Sequence, residues 1–224
     1  MKDYANLNKT RGEILGSAVK AAIGLFLFGC GVYLTIQANI GVAPWDVLNQ
    51  GVAKHTGLMY GTVLMIISIV VLAADVLMKE PIGLGMVMDS LIVGKSVDLL
   101  NWLNVVPPRQ TLWGGVLCLV AGIIVMNAAM RLYMAQALGC GPRDTLLVAL
   151  CKRFPRISAG VMIMIMWATV TLIGWILGGQ VGLGTLLSVA ISGPIFQLIC
   201  NLTHFNAADV KHQNLLETLR VLKG

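Results

Sequence analysis

Charge is what this chain has least of. Asp, Glu, Lys and Arg make up 12% of its 224 residues, about half of the roughly 25% typical of a soluble globular domain. That deficit excludes an ordinary water-soluble enzyme, a disordered tail and a nucleic-acid-binding module, so no nucleic-acid partner is expected. The acidic residues are scarcer than the basic, 10 against 16, and in membrane proteins such an excess reflects Lys and Arg collecting in cytoplasmic loops. The five cysteines form no CxxC pair and the three histidines are scattered, so no metal set is visible and the thiols read as small, reduced hydrophobes. There is no nucleophile–base pair and no phosphate-binding loop. Neither an enzyme nor a cofactor is expected. The start is not a secretory signal either, because residues 1–13 mix Lys2, Asp3, Lys9, Arg11 and Glu13; they read as a short cytoplasmic lead.

What is present is apolar sequence in long runs. Hydrophobic residues make up 57% of the chain and the mean hydropathy is +0.83. A membrane span needs about 20 mostly apolar residues. Six segments fit: 14–37, 60–78, 82–102, 112–134, 157–177 and 182–203. The third is the most polar, carrying Asp89, Lys95 and Asp98, and no Asp, Glu, Lys or Arg occurs from Ile157 to Ala208. Two helical segments, 44–55 and 142–153, are left over. At 1.5 Å per residue each falls well short of a hydrocarbon core about 30 Å thick, so they are re-entrant half-helices, interfacial helices or parts of tilted spans. Residues 207–224 place Leu215, Leu216, Leu219 and Leu222 on one helical face, the pattern of an amphipathic helix lying on a membrane.

The chain resembles itself. Gly41, Pro44, Asp46 and Leu48 recur 98 positions on as Gly139, Pro142, Asp144 and Leu146, and Gly83-Leu84-Gly85 recurs 99 positions on as Gly182-Leu183-Gly184, as does Gly94 at Gly193. Two membrane repeats follow, 14–105 and 110–205. With six spans each half crosses three times, so the halves are inverted, an arrangement common in transporters. The alternative has eight spans and parallel 4+4 halves. The expectation is an all-α polytopic membrane protein, inverted 3+3 with two half-helices, both termini cytoplasmic.

The recurring G-x-x-P-x-D motif has a complete structural reading. Pro44 and Pro142 suit the first turn of a helix, Asp46 and Asp144 complement its N-terminus, and Gly41, Gly139 and Gly141 allow a sharp approach. It has a functional reading too. Broken helices at membrane depth survive where they line a cavity or are buried in protein, and an ionisable residue there marks a substrate or ion path. Candidate substrate-binding residues are therefore Trp45, Asp46, Asp89, Arg131, Arg143 and Asp144. Trp45 takes the place of Arg143 in the first motif and is equally readable as an interfacial anchor. Asp89 must face the bundle interior, with Arg131 as a possible partner; its counterpart 99 positions on is Ser188. Lys95 with Asp98, and Asp75 with Lys79, have the spacing of intrahelical ion pairs. Gly83, Gly85, Gly182 and Gly184 suit close helix packing.

The segments G-V-A-P-W-D-V-L-N-Q-G at 41–51, T-G-L at 56–58 and G-C-G-P-R-D-T-L at 139–146 resemble the bacterial YczE/YyaS/YitT family of integral membrane proteins, over roughly residues 15–203. Ala43 stands where the second copy has glycine. The resemblance implies a multi-pass protein of the bacterial inner membrane and supplies no catalytic residues. Two functions fit: a transporter or exporter of a small solute, for which the small bundle invites a homodimer in the bilayer, or a non-transporting scaffold for another membrane or cell-surface system.

Overall fold

The computed structural model describes residues 10–139, 141–157, 159–205, 210, 215 and 218. Among these the chain is all-helical, with eight helices: α1 (Arg11–Gln37), α2 (Pro44–Thr56), α3 (Tyr60–Leu77), α4 (Leu84–Leu103), α5 (Leu112–Met134), α6 (Pro142–Arg153), α7 (Ala159–Ile176) and α8 (Leu183–Leu202). By length and composition α1, α3, α5 and α8 are long and apolar enough to cross a membrane. Residues 1–9 and most of the 207–224 tail, including Leu216, Leu219 and Leu222 of the expected amphipathic face, lie outside the described residues.

Local chemistry sets the helix ends. Thr10 and Glu13 form a reciprocal capping box at the start of α1, and the Thr111 side chain caps α5. Pro44 and Pro142 open α2 and α6, with Asp46 and Asp144 in the first turn and Lys54 and Lys152 in the last. Both short helices are thus matched in charge to their own dipoles. Gly41 (φ 105°) and Gly139 (φ 124°), three residues before those prolines, take left-handed backbone that a side chain would strain.

Hydrogen bonds between loops fix the sides. Arg109 N–H donates to the Gln37 carbonyl (2.8 Å), and the Gln180 amide donates to Asn39 Oδ1 (3.2 Å). The ends of α1, α4 and α7 and the starts of α5 and α8 therefore share one side, here side A. On the opposite side B, Lys152 pairs with Glu80 at 2.7 Å, Gly85 N–H donates to the Leu138 carbonyl (2.8 Å), and Arg131 Nε donates to Thr203 Oγ1 (3.2 Å). The six long helices alternate between the sides. The chain leaves α1 and enters α3 on side A, so α2 returns to the side it came from; α6 does the same on side B. Exposed Trp102, Trp113 and Trp175 ring side A, as aromatic residues do at a membrane–water interface.

Lipid tails are as apolar as leucine, so packing and not water exclusion holds such a bundle together. α1 packs along α5 and α4, and a methyl group on Gly31 would stand 2.8 Å from the Gly122 carbonyl. The four G-L-G glycines do something other than pack helix on helix. Gly85 N–H bonds the loop before the second motif at Leu138, and Gly184 N–H bonds the loop before the first at Ile40 (2.7 Å). Each half clasps the motif loop of the other.

Two expected ion pairs are not formed. Asp98 on α4 turns from Lys95 to α3, accepting from Gly61 N–H at 2.7 Å and from the Thr62 hydroxyl at 3.0 Å. Lys79 is exposed and does not pair with Asp75, which is fully buried and whose carboxylate oxygens have no hydrogen bond among the described residues. Interhelical geometry overrides the i, i+3 and i, i+4 spacing in both cases.

Candidate functional site

The two motif helices meet in the middle of the bundle. A cavity of about 340 Å³ is lined by all eight helices. α2 supplies Trp45 and Asp46, α4 supplies Asp89, and α6 supplies Arg143 and Asp144. Prolines at the first helical turn and glycines before them aim the start of each short helix inward, so each carboxylate arrives where the helix dipole favours a negative charge. The rest of the wall is largely aromatic and sulfur-bearing, with Phe28, Met126, Met130, Tyr133, Trp167 and Phe196, interrupted by Ser68, Asn127 and Ser192.

The polar groups are unequally satisfied. Asp46, 2% exposed, accepts from the Tyr60 hydroxyl at 2.7 Å and from Asn49 Nδ2 at 3.3 Å. Asp89 and Asp144 make no hydrogen bond among the described residues. Both point at Gly141, whose missing Cβ would lie 3.5 Å from Asp89 Oδ2 and 3.8 Å from Asp144 Oδ2. The Arg143 guanidinium is the shared electrostatic neighbour of Asp46, Asp89 and Asp144, and it lies over the Trp45 ring at 5.0 Å. Three carboxylates therefore lie in the field of one guanidinium, and none forms a salt bridge with it among the described residues.

Five of the six candidate residues come together here. The sixth, Arg131, is elsewhere. Its Nε donates to Thr203 and its guanidinium lies 5.4 Å from the Phe205 ring, so it ties α5 to the end of α8 and is not the partner of Asp89. Ser188, the counterpart of Asp89, is buried with an unpartnered hydroxyl and does not line the cavity. The sequence reading missed Tyr60, Ser68 and Ser192. The available signal was their polarity within apolar spans, where an unpaired hydroxyl is unfavourable.

The walls between helices differ on the two sides of the cavity. α3 and α4 are in close contact. A methyl group on Gly61 would collide with the Gly94 carbonyl, one on Gly94 with the Gly61 carbonyl, and Asp98 holds the start of α3. α7 and α8 barely touch. Gly193, the counterpart of Gly94, borders the cavity with nothing within 4 Å of its Cβ position. Gln197, the counterpart of Asp98, bonds within its own helix to Asn201 (2.9 Å). Between α7 and α8 runs an apolar groove that shares Trp167 with the cavity and includes Met164, Leu172, Leu186 and Val189.

Sequence comparisons agree with this architecture. A Haemophilus influenzae protein described as uncharacterized is 32% identical over 80% of this chain and 80% of its own length. The uncharacterized membrane protein YczE of Bacillus subtilis is 26% identical over 78% of this chain and 80% of its own, and the uncharacterized protein YyaS of the same organism is 29% identical over 79% and 88%. No solved structure matches. The model of a family of unknown function, DUF6198, matches residues 17–201, a stretch that takes in both motifs, every cavity-lining residue and most of each outer helix, and this multi-pass membrane protein belongs to that family.

Proposed function

We propose that the protein is a small-solute transporter of the bacterial cytoplasmic membrane, with the central cavity as its carrying site and residues 14–105 and 110–205 as two halves of opposite orientation. The observation that carries the reading is the cavity between unequal seams. A carrier must expose one site to each side in turn. Here the α3–α4 seam is latched by glycine contact and Asp98, while the related α7–α8 seam stands open at Gly193. Halves that face opposite ways and exchange these two packings deliver the site alternately to sides A and B.

The chemistry of α8 suits motion. Pro194 lies inside the helix next to Gly193, removes a helical hydrogen bond and marks a kink point; its counterpart on the latched side is Lys95. The intramembrane carboxylates gathered on a cavity are of the kind that mark substrate and ion paths. Lys79, Lys152, Arg153 and Arg156 flank side B, against Lys54 and Arg109 on side A, a bias that supports a cytoplasmic side B under the positive-inside rule.

The test needs no knowledge of the substrate. In a background without native cysteines, Ser192→Cys places a thiol on the cavity wall. A membrane-impermeant thiol reagent is applied to spheroplasts and, separately, to inverted vesicles. Labelling from both sides is the expected result. Labelling from one side only, or from neither with the protein inserted and folded, sinks the transport reading and favours a scaffold.

A further inference from the structure

We infer that the cavity takes an organic cation with an apolar body, drawn from the bilayer through the gap between α7 and α8. This deepens the transport reading of the same cavity and rests on it.

Charge is the first argument. Among the described residues lining the cavity, the charged side chains are the acidic Asp46, Asp89 and Asp144 and the basic Arg143, which leaves two negative charges unmatched when all are ionised. Unpaired charge at membrane depth is costly, and it is relieved either by protons or by a bound cation. An exchange between the two is the chemistry of a proton–cation antiporter. The unmatched pair is located: Asp89 and Asp144, without hydrogen bonds, flank the notch left by the missing side chain of Gly141. An anion is disfavoured, because the one guanidinium is stacked on Trp45 and lies in the field of three carboxylates that would repel it.

The walls select among cations. A bare metal ion needs a shell of oxygen ligands, and this wall is mostly ring faces and thioethers. Aromatic faces attract organic cations, and methionine adapts to irregular apolar shapes. The volume of about 340 Å³ lies within the range of small-molecule pockets.

The entrance is an independent observation. The α7–α8 groove is apolar, and Met164, Leu172 and Leu186 on it are more than half exposed, so lipid reaches it. It meets the cavity at Trp167. A hydrophilic solute gains nothing from such a path, whereas a lipid-soluble cation already resides at its mouth.

The experiment uses the full chain in lipid nanodiscs and radiolabelled tetraphenylphosphonium, with tetraphenylborate as the probe of the same shape and opposite charge. Saturable binding of about one tetraphenylphosphonium per chain is expected, weakened on acidification and unaffected by tetraphenylborate at the same concentration, after correction for free probe. Asp89→Asn and Asp144→Asn preserve shape and each lower the affinity at least tenfold. Gly193→Trp, which fills open space, blocks binding while helicity is retained. Saturable binding absent from intact protein, equal displacement by tetraphenylborate, or unchanged affinity in both aspartate variants overturns the inference. If binding fails while Ser192→Cys labels from both sides, only the ligand class falls. If labelling is one-sided while binding is saturable and carboxylate-dependent, the transport reading falls and the site remains a cation-binding one.

Discussion

The Arg143 guanidinium lies 5.0 Å over the ring of Trp45. These residues hold the same place in the two motif copies, and they are where the copies differ most. The difference is functional in packing terms, because two arginines would repel at this crossing and two tryptophans would leave three carboxylates without a counter-charge. Arg143→Gln removes the single cation from a site with three acids. Arg143 forms no salt bridge among the described residues, but its loss leaves three carboxylates at membrane depth with no positive charge on the cavity, which is costly, so the variant is expected to unfold below the parent temperature in detergent. Arg143→Lys keeps the charge and loses the planar stacking, and it is expected to recover most of that loss. Equal damage from both variants would mean that the shape of Arg143, not its charge, holds the site.

Gly94 and Gly193, 99 positions apart in the sequence, give different predictions. Gly94→Ala drives a methyl into the Gly61 carbonyl, and overpacking of this kind costs about 1–3 kcal/mol. Gly193→Ala meets nothing within 4 Å beyond its own helix backbone and chain neighbours, and the gain of up to about 1 kcal/mol from replacing a helical glycine is offset by the crowding of the new Cβ against the ring of Pro194. Thermal unfolding is expected to fall for Gly94→Ala and to stay close to the parent for Gly193→Ala. A similar drop in both would show that the α7–α8 seam is as tightly packed as α3–α4.

How much of this was legible follows from the range of each signal. Helix limits were readable to within a few residues because Pro44, Pro142 and the apolar runs act locally. Convergence of Asp46 and Asp144 was suggested by repetition alone. The partners were not readable. Arg131 was matched to Asp89 because both are charges in spans, but Arg131 ends next to Thr203. Asp98 met Thr62 instead of Lys95 because helix spacing says nothing about the neighbouring helix. The Gly85–Leu138 and Gly184–Ile40 clasps join loops far apart in sequence, and glycine gives no side-chain clue to its partner. The apolar wall of the cavity, Phe28 or Met130 for example, has the same composition as lipid-facing surface.

Asp98 is predicted to act as the latch of the closed seam. Its two oxygens receive Gly61 N–H and the Thr62 hydroxyl, at the positive end of the α3 dipole. Hydrogen bonds to a charged group contribute about 1.5–3 kcal/mol each, so Asp98→Ala favours opening of α3 from α4. A cysteine at Met65, whose side chain packs at Gly94, is expected to react with a thiol reagent several-fold faster in the Asp98→Ala background. An unchanged rate would show that glycine contact alone keeps the seam shut.

Asp75 supplies the last prediction, and its sign is unusual for a buried site. It is 0% exposed, and neither oxygen finds a hydrogen-bond donor. A buried polar group without a partner costs about 1–3 kcal/mol, and more if charged. Asp75→Leu removes the group and fills similar space, so it is expected to raise the unfolding temperature by several degrees, at about 2–4 °C per kcal/mol for a chain of this size. Asp75→Asn keeps an unsatisfied polar group and is expected to gain less. Its neighbours bear on what the stabilised protein does: Ser68 lies seven residues earlier on the same face of α3 and lines the cavity, while Glu80 follows at the helix end. If Asp75→Leu is more stable but Ser192→Cys then labels from one side only, the unsatisfied carboxylate is kept for the conformational change, as strain is kept at functional sites. If stability falls instead, an ordered water or ion satisfies Asp75 in the folded protein, and the apparent isolation of its carboxylate is not a source of strain.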